Sequence, residues 1–369
     1  MPVGKAGVTS TLWLRLFQEA AAGLPRRVRF MEVCGTHTMA LFETGVRAVL
    51  PENVELISGP GCPVCVTTDG YIDAAIDLAA KNHVTLTTFG DMVRVPGLHG
   101  SLENLRSRGA RVVVVYSPLM AVEMARRSPQ EEVVFLAVGF ETTVPAVARA
   151  VDIAAQEKIE NFSILSAHKT IPAALDALLK GKTLLDGLLC PGHVSAVIGS
   201  GAYEPIVRAH HIPCVVSGFE ASDMLRALTM LVQQVVAGLP RVENAYVRAV
   251  QPEGNPKAQE LIRQVFQPCD ADWRGLGTIP GSGLELRDSY RKFDARVRFG
   301  VSIHESKPRA GCRCGEILKG EARPVDCRLF GRACTPESPC GPCMVSSEGT
   351  CAAYYKYGEF RMRSEEKSL

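Results

Sequence analysis

Short apolar runs rich in β-branched residues alternate with helical patterns between residues 28 and 240. Each run is apolar on both faces, which is typical of central strands in parallel sheets and not of half-exposed antiparallel strands. The segments between them carry helix signals, such as the proline in the first turn of SPLMAVEMARR and of IPAALDALLK. The predicted strands are VRFMEV (28–33), VELI (54–57), VTLTTF (84–89), VVVVY (112–116), VVFLAV (133–138), FSIL (162–165), GLLC (187–190) and CVVS (214–217). The pattern predicts an α/β fold with two Rossmann-like parallel-sheet domains that face a crevice.

The pattern changes after Pro240. The stretch QPEGNPKAQE, from Gln251, is polar and rich in turn residues, which indicates a domain boundary. Residues 270–290 then show little helical or strand periodicity. The segment 311–360 contains seven cysteines, several prolines and glycines, and few aliphatic side chains. Because hydrophobic burial alone cannot fold such a segment, we expect a metal or a cluster to supply the missing free energy.

These signals divide the chain into four predicted parts. Residues 1–25 form a helix, which we expect to pack on the C-terminal domain. Residues 26–128 form an α/β domain that carries Cys34 and a CPVC motif, and residues 129–250 form a second α/β domain. Residues 251–369 form a small, irregular, cysteine-rich domain.

Charge and hydropathy exclude several classes of protein. Lys and Arg number 41 against 39 Asp and Glu, which leaves a net charge of +2, and no polybasic run is present. We therefore expect neither nucleic acid nor a membrane surface as a partner. The stretch TLWLRLFQEAAAGLPRR lacks the basic and apolar regions of a signal peptide, and no apolar run reaches the roughly 18 residues of a membrane span. The sequence predicts a cytoplasmic protein.

The chain contains 13 cysteines, which are unevenly distributed. In a reducing compartment cysteines serve as metal ligands or redox catalysts more often than as structural disulfides. The early group consists of Cys34, Cys62 and Cys65. The late group consists of Cys312, Cys314, Cys327, Cys334, Cys340, Cys343 and Cys351. The scattered Cys190, Cys214 and Cys269 are typical of small buried hydrophobic residues.

Two kinds of metal centre compete for the late cysteines. Zinc is common in cysteine-rich segments, but zinc ribbons usually carry two CxxC pairs about 15–20 residues apart. Here only Cys340 and Cys343 form a CxxC pair, and the remaining pattern C-x14-C-x6-C-x16-C, from Cys312 to Cys351, is uneven. Uneven spacing and soft thiolate ligands favour an iron–sulfur cubane, with zinc as the open alternative.

Unusual thiol and polar side chains follow the ends of the predicted strands. VRFMEV runs into Cys34-Gly35-Thr36-His37, and VELI runs toward the CPVC turn at 62–65. GFETT, with Glu141, follows VVFLAV, and PGH, with His193, follows GLLC. Because ligands of parallel sheets bind outside the carboxyl ends of the strands, we predict one site at this edge, in a crevice between the domains. For Glu141, contact with a helix N-terminus is an equally good interpretation. For His193, too, the position after a strand is the only argument for a role at the site.

Six motifs of the chain are long and chemically unusual. They are MEVCGTHTM, PENVELISGPGCPVCVT, GFETTVPA, CPGHVSAVIG, VVSGFEASD and the tail from CRCGEILKG to GTCAAYYKY. Together they resemble the HypD family of hydrogenase maturation factors, in the family's order and from about residue 28 to residue 357. The resemblance implies a factor that helps to build the Fe(CN)2CO moiety of nickel–iron hydrogenases. It implies a HypC-type small chaperone and a HypE-type donor of cyano groups as partners, and an assembly protein with a redox role rather than a stand-alone enzyme.

The resemblance also implies roles for individual cysteines. Cys34 would bind the iron under assembly together with a cysteine of the chaperone, and Cys62 and Cys65 would be a redox-active pair that faces this iron. Cys314 and Cys343 would form a second thiol pair, similar to the arrangement in ferredoxin:thioredoxin reductase. The ligands of a [4Fe–4S] cluster would be Cys312, Cys327, Cys334 and Cys351.

Three further residues are candidates to contact the ligands of the iron without binding the iron themselves: Thr36, Glu141 and His193. Two positions depart from the family's pattern. Cys340 stands where no thiol is expected, and Thr68 replaces a proline. Neither departure falls on an implied ligand, although Cys340 makes an exchange of cluster ligands an alternative.

Elementary chemistry agrees with these roles. Iron(II) that carries cyanide and carbon monoxide is soft and prefers a thiolate. If a helix begins in THTMALFETGV, its dipole would lower the pKa of Cys34. His37 is a candidate ligand or proton carrier, with a buried or capping histidine as the alternative. Splitting the carrier of the cyano group needs electrons, and a relay from the cluster through the two thiol pairs would deliver them.

Two other functions remain open at the level of the sequence. A thiol–disulfide oxidoreductase with a [4Fe–4S] cluster would explain both thiol pairs but would give Cys34 no role. A zinc-stabilised binding protein would be colourless and would need no redox chemistry.

Overall fold

The computed structural model of the chain is an α/β protein with two parallel sheets and a cysteine-rich C-terminal region. It describes residues 4–181, 184–304 and 310–358. The predicted fold class is confirmed. The strands are β1 (Val28–Cys34), β2 (Val54–Gly61), β3 (Val84–Thr88), β4 (Val112–Val114), β5 (Glu132–Gly139), β6 (Phe162–His168), β7 (Gly187–Pro191), β8 (Cys214–Ser217), β9 (Val242–Asn244), β10 (Phe266–Trp273) and β11 (Gly277–Leu286).

The helices surround the sheets and lead into the C-terminal region. They are α1 (Gly4–Ala21), α2 (Gly35–Glu43), α3 (Pro63–Val66), α4 (Asp69–Ala79), α5 (Leu102–Arg106), α6 (Pro118–Arg127), α7 (Val144–Gln156), α8 (Ile171–Leu179), α9 (Gly192–Ile198), α10 (Glu204–His210), α11 (Ala221–Ala237), α12 (Pro256–Val265), α13 (Ala295–Phe299), α14 (Cys314–Leu318), α15 (Pro342–Val345) and α16 (Thr350–Tyr357). Short 3-10 helices span Val46–Val49, Gly90–Arg94, Ser200–Tyr203, Asp288–Phe293 and Pro324–Asp326. In the part of the chain that the structure describes, every helix is too short or too polar to span a bilayer.

Two parallel sheets form the framework. Sheet A has the strand order β2-β1-β7-β8-β9, and sheet B has the order β4-β3-β5-β6. Nearly all positions of the central strands are buried, as in β1 and β5. This burial on both faces explains why these segments are continuously apolar in sequence.

The sheets do not follow the predicted division into residues 26–128 and 129–250, which is therefore wrong for the strands. β1 and β2 lie in sheet A with β7, whereas β3 and β4 lie in sheet B. The chain leaves sheet A after β2, builds sheet B with β3 to β6, and returns at β7. Strands adjacent in sequence usually pair, which favoured two consecutive domains. In the folded chain β7 pairs with β1 instead, and Gly187 of β7 lies opposite Phe30 of β1. A Cβ at position 187 would come within 2.8 Å of the Phe30 ring, so glycine allows this pairing.

An antiparallel hairpin occupies much of the region in which the sequence showed little periodicity. β10 and β11 pair from Phe266 opposite Leu286 to Trp273 opposite Gly277. Burial alternates weakly along β10, but its sequence FQPCDADW is mostly small or polar, so the period of two is hidden. The glycines at positions 275 and 277 have φ values of +77° and +79°, which the tight turn requires.

The N-terminal helix packs on sheet A, so the expectation that residues 1–25 pack on the C-terminal domain is wrong. α1 lies against α11. Phe17 and Ala21 are fully buried in one apolar cluster with Met224 and Leu228 of α11. An amphipathic helix buries its apolar face against a matching apolar surface, and α11 offers one.

Candidate functional site

The carboxyl ends of β1 and β2 bring the early cysteines together. Cys34, the last residue of β1, lies opposite Gly61, the last residue of β2, and Cys62 follows directly. Any side chain at Gly61 would collide with the carbonyl oxygen of Val33, so glycine allows the two strand ends to approach this closely. The thiol of Cys34 and the CPVC motif therefore lie side by side at the edge of sheet A.

The CPVC motif forms the short helix α3, with Cys62 as its N-cap. The backbone N–H of Cys65 donates a hydrogen bond to Cys62 Sγ over 3.1 Å. The two cysteines form a disulfide with a Cα–Cα distance of 5.2 Å. Both side chains are buried, so exchange with this disulfide requires a partner that is already packed against α3.

The environment of Cys34 overturns one prediction about its acidity. Burial, the largest cause, and the nearby carboxylate of Glu348 together raise the pKa of the Cys34 thiol to about 11. The amides of Thr36 and His37, at the start of α2, lower the pKa but do not compensate for burial. The helix does begin directly after Cys34, as expected. The predicted lowering of the pKa is wrong because desolvation outweighs the helix N-terminus.

Glu348 is a site residue that the sequence analysis missed. Thr36 Oγ1 donates a hydrogen bond to Glu348 Oε1 over 2.6 Å, although the two residues are 312 positions apart. Gly35 touches the backbone of Glu348 so closely that a side chain at position 35 would collide with it. The available signal was an acidic residue in SSEGT, between two cysteines of the late group.

A second loop holds the segment of Glu348 from the side of sheet B. Asp91 follows β3, and its Oδ2 accepts hydrogen bonds from the N–H of Ser347 (2.9 Å) and from the hydroxyls of Ser346 and Ser347. The segment 346–349 thus bridges the carboxyl edges of both sheets. The predicted crevice between the sheets is bridged by the C-terminal region.

His37 is a buried neutral imidazole with one nitrogen free of partners. Its Nε2 lies 3.0 Å from the carbonyl oxygen of Gly218, which can only accept, so Nε2 carries the proton. Its Nδ1 is buried and has no hydrogen-bond partner among the described residues. Burial lowers the pKa of His37 to about 4. The Nδ1 lone pair is therefore unprotonated at neutral pH and available to a metal ion.

Phe219 lies between two histidines of the site. Its ring centroid is 4.6 Å from that of His37 and 4.1 Å from that of His193, and both pairs are stacked. The structure thereby links His193, through the Phe219 ring, to His37 of α2. Glu220, which follows Phe219 in the chain, is exposed, and its carboxylate lies 3.6 Å from the Arg248 guanidinium.

The structure places Glu141 at the start of another helix. Its Oε1 accepts a hydrogen bond of 2.9 Å from the N–H of Ile171, the first residue of α8. Burial raises the pKa of Glu141 to about 7. This is the contact with a helix N-terminus that the sequence analysis gave as the alternative to a role at the iron.

Six of the seven late cysteines line one pocket in the C-terminal region. Its wall includes the four implied cluster ligands and the implied thiol pair: Cys312, Cys314, Cys327, Cys334, Cys343 and Cys351. The remaining wall contains apolar side chains such as Leu329, Phe330 and Met344. Among the described residues no three His, Cys, Asp or Glu side chains are already arranged to hold a single metal ion. Thiols from separate turns around an apolar pocket are a donor set that fits an iron–sulfur cluster.

Cys314 and Cys343 connect this pocket with the CPVC helix. Their sulfur atoms are 2.9 Å apart, and both side chains are buried. α15, which carries Cys343, packs against α3. Both thiol pairs belong to the same apolar cluster. The second pair therefore lies between the pocket and the disulfide.

Arg274, at the tip of the β10–β11 hairpin, also lies between the two thiol pairs and was not expected. Its Nε donates to the carbonyl oxygen of Thr67 over 2.9 Å, and its guanidinium forms a buried ion pair with Asp69. Its positive charge opposes the rise in the pKa of Cys312 and Cys314. No sequence motif pointed to it, because the hairpin itself was not predicted.

Comparison with known proteins gives a consistent result. The model of the HypD family, described as hydrogenase formation hypA family, matches residues 10–358. The chain is 46% identical over 350 residues to hydrogenase maturation factor HypD of Azotobacter vinelandii, which covers 93% of this chain and 92% of that protein. It is 46% identical over 338 residues to hydrogenase maturation factor HypD of Escherichia coli strain K12, with 90% of both chains covered. It is 45% identical over 354 residues to hydrogenase maturation factor HypD2 of Bradyrhizobium diazoefficiens, with 93% of both chains covered.

The fold, the order of the motifs and the extent of these matches agree. The likeness begins before the CGTH motif and ends after the last cysteine of the C-terminal pocket. It therefore includes both sheets and the cysteine-rich region as one unit. The chain belongs to the HypD family of hydrogenase maturation factors.

Proposed function

We propose that this chain is a cytoplasmic scaffold on which the Fe(CN)2CO moiety of a nickel–iron hydrogenase is assembled. Iron is the cargo, and Cys34 binds it together with a cysteine of a HypC-type chaperone. A HypE-type partner supplies the cyano groups. The observation that carries the proposal is that Glu348 lies close to Cys34, at the strand ends that also carry the Cys62–Cys65 disulfide.

The acid–base groups around Cys34 suit the capture of a metal ion. The thiol is held protonated by burial, so binding of iron must release a proton. Glu348 is the carboxylate whose charge acts on the Cys34 thiol, and the Thr36 hydroxyl holds it in place. The Nδ1 of His37, which has no partner among the described residues, offers a second ligand one helical turn away. Phe219 fixes the plane of the His37 ring and of the His193 ring.

Cys312, Cys327, Cys334 and Cys351 would hold a [4Fe–4S] cluster in the C-terminal pocket. When bound, such a cluster supplies single electrons. The chain's own residues then move electron pairs by thiol–disulfide exchange. The dithiol of Cys314 and Cys343 gives two electrons and two protons to the Cys62–Cys65 disulfide, which becomes a dithiol while the first pair becomes a disulfide. The contact of α15 with α3 supports this step.

A [4Fe–4S]-dependent thiol–disulfide oxidoreductase is the second candidate. The two adjacent dithiol pairs favour it, because they would suffice for reduction of an external disulfide. It leaves the environment of Cys34, Thr36 and Glu348 without a role. The two functions therefore differ in what happens when Cys34 is removed.

The test is anaerobic purification of wild type and Cys34→Ala, with and without coexpressed HypC-type chaperone. Iron and sulfide counts, the optical spectrum, and infrared C≡N and C≡O bands are measured. Assembly predicts cluster absorption in both proteins, and infrared bands only in wild type with the chaperone. Cys269→Ala, a thiol on β10, is the control and should keep the bands. A cluster without infrared bands under every condition would favour the oxidoreductase, and zinc without sulfide would contradict both functions.

A further inference from the structure

Cys340 lies against Cys334 in a tight loop. The sequence CTPESPC separates the two cysteines by five residues. Thr335 and Ser338 close the loop, since each backbone N–H donates to the carbonyl oxygen of the other, over 3.3 and 3.2 Å. The backbone N–H of Cys340 then donates to Cys334 Sγ over 3.3 Å. The loop therefore holds the thiol of Cys334 directly over the backbone of Cys340.

The two thiols face different surroundings. Cys334 belongs to the wall of the C-terminal pocket, whereas Cys340 does not. Cys340 Sγ instead donates to the carbonyl oxygen of Ala333 over 3.3 Å. Both residues are partly exposed. A small oxidant can thus reach the pair from solvent without entering the pocket.

We infer that Cys334 and Cys340 form a reversible disulfide that controls whether the C-terminal pocket can be loaded. The 3.3 Å contact between the Cys340 backbone N–H and Cys334 Sγ brings the two cysteines within the range in which a disulfide between neighbouring residues forms. The inference rests on the proposed role of Cys334 as a cluster ligand. The disulfide withdraws Cys334 from the pocket and leaves three of the four implied ligands.

The step balances as an exchange with a low-molecular-weight disulfide such as oxidised glutathione. One thiolate of the pair attacks oxidised glutathione and releases one glutathione. The second thiol of the pair then displaces the other glutathione, and the Cys334–Cys340 disulfide forms. Two electrons and two protons pass from the pair to two molecules of glutathione. An excess of reduced glutathione reverses both steps.

Cys340 acts here as the partner of a ligand and not as a replacement ligand. It lies outside the pocket wall, so exchange of Cys334 for Cys340 at a cluster would require the loop to turn over. The disulfide, in contrast, joins two residues that already contact each other within the loop. The geometry therefore favours the disulfide over the ligand exchange that the sequence left as an alternative.

The first experiment uses the full-length, cluster-free chain and oxidised glutathione. Wild type, Cys340→Ser and the control Cys269→Ser are incubated anaerobically, and tandem mass spectrometry locates the bonds. We expect a Cys334–Cys340 disulfide in wild type and in Cys269→Ser. In Cys340→Ser we expect a glutathione adduct on Cys334 instead. Wild type in which Cys334 carries glutathione, pairs with another cysteine or stays reduced would overturn the inference.

The second experiment adds iron(II) and sulfide and follows cluster absorption, first with the reduced proteins. Reduced wild type and reduced Cys340→Ser should load equally, whereas oxidised wild type should load at least ten-fold more slowly until dithiothreitol is added. If reduced wild type forms no cluster, the proposed role of the pocket fails. If it forms a cluster and oxidation changes neither the bond nor the loading rate, only the present inference fails.

Discussion

Arg47 forms a buried ion pair with Glu32 of β1 and donates a hydrogen bond of 3.0 Å to the hydroxyl of Tyr354 in α16. The guanidinium thereby links the strand that ends at Cys34 to the helix that carries Cys351. Glu32 is fully buried, and its Oε2 has no hydrogen-bond partner among the described residues. Arg47 is therefore the charged partner of the buried Glu32 carboxylate.

We expect Arg47→Met to lower the free energy of unfolding by about 3–5 kcal/mol, because it leaves the Glu32 charge buried and unpaired. Tyr354→Phe removes one hydrogen bond and should cost about 0.5–1.5 kcal/mol. Urea unfolding measures both changes. The double variant Glu32→Gln/Arg47→Met should recover part of the loss, and a double variant no more stable than Arg47→Met would contradict this account.

Glu348→Gln should make Cys34 more reactive. Removal of the carboxylate charge lowers the pKa of Cys34, since Glu348 raises it, while burial continues to hold the pKa above its usual range. At pH 9 the metal-free variant should therefore contain more thiolate and react faster with iodoacetamide at Cys34. Mass spectrometry of the Cys34 peptide over a pH series measures the rate.

The matched control for this prediction is Glu220→Gln. Glu220 follows the stacked Phe219 but is exposed and paired with Arg248. Its substitution should leave the alkylation profile of Cys34 unchanged. Equal profiles for wild type and Glu348→Gln would show that the carboxylate does not act on the thiol.

Phe219→Leu should disorder both histidines of the site. Leucine keeps much of the apolar volume but removes two stacking contacts, each worth about 0.5–1.5 kcal/mol. We expect the free energy of unfolding to fall by about 1–2 kcal/mol. The amount of iron bound through Cys34, with the chaperone present, should fall by more than this loss of stability explains. Phe299→Leu, a half-buried phenylalanine in α13, should lose stability without losing iron. Equal iron content in both variants would argue against a role of the stack.

Lys169 should make stability depend on pH. Its side chain is buried, its Nζ lies 5.6 Å from the ring centroid of Trp273, and burial lowers its pKa to about 8. The unfolded chain has the ordinary value of about 10.4 and binds more protons between pH 8 and 10.4. This residue therefore destabilises the fold at neutral pH, and its cost disappears as the pH rises through that window.

Lys169→Met should accordingly raise the free energy of unfolding at pH 7 by about 2–3 kcal/mol. The advantage over wild type should shrink toward pH 10. Lys180→Met, at an exposed lysine paired with Asp176, should change stability by less than about 0.5 kcal/mol at any pH. A gain for Lys169→Met that is constant from pH 7 to pH 10 would contradict the pKa of Lys169.

Local patterns were enough to find most strands. The runs beginning at Val28 and at Phe162 are strands because their apolar residues are buried on both faces. The β10–β11 hairpin was not found, since small and polar residues hide its alternation. The pairing of β1 with β7 was also inaccessible, because several apolar runs are similar and only packing around Gly187 distinguishes the partners.

In the candidate site, too, some features followed from the local sequence and others only from the tertiary structure. The position of Cys34 and His37 after a buried strand was sufficient to predict them at a sheet edge. Glu348 and Arg274 were not predicted, because each reaches its partners from more than 200 positions away in sequence. The pKa of Cys34 was predicted to be lowered by the following helix, but burial raises it. Burial is a property of the assembled site and cannot be read from the helix alone.

The sequence by itself determined the α/β class and the strand ends after which Cys34 and the CPVC motif lie, and its motifs carried the resemblance to the family. These features follow from residue type and short-range order, which local chemistry fixes. Only the tertiary structure decided that one sheet is built from both ends of the α/β region and that segment 346–349 bridges the two sheets. It alone placed Cys340 against Cys334. Such contacts depend on shape and desolvation over the whole molecule, because many alternative pairings have similar local patterns and differ only in how well the complete set packs.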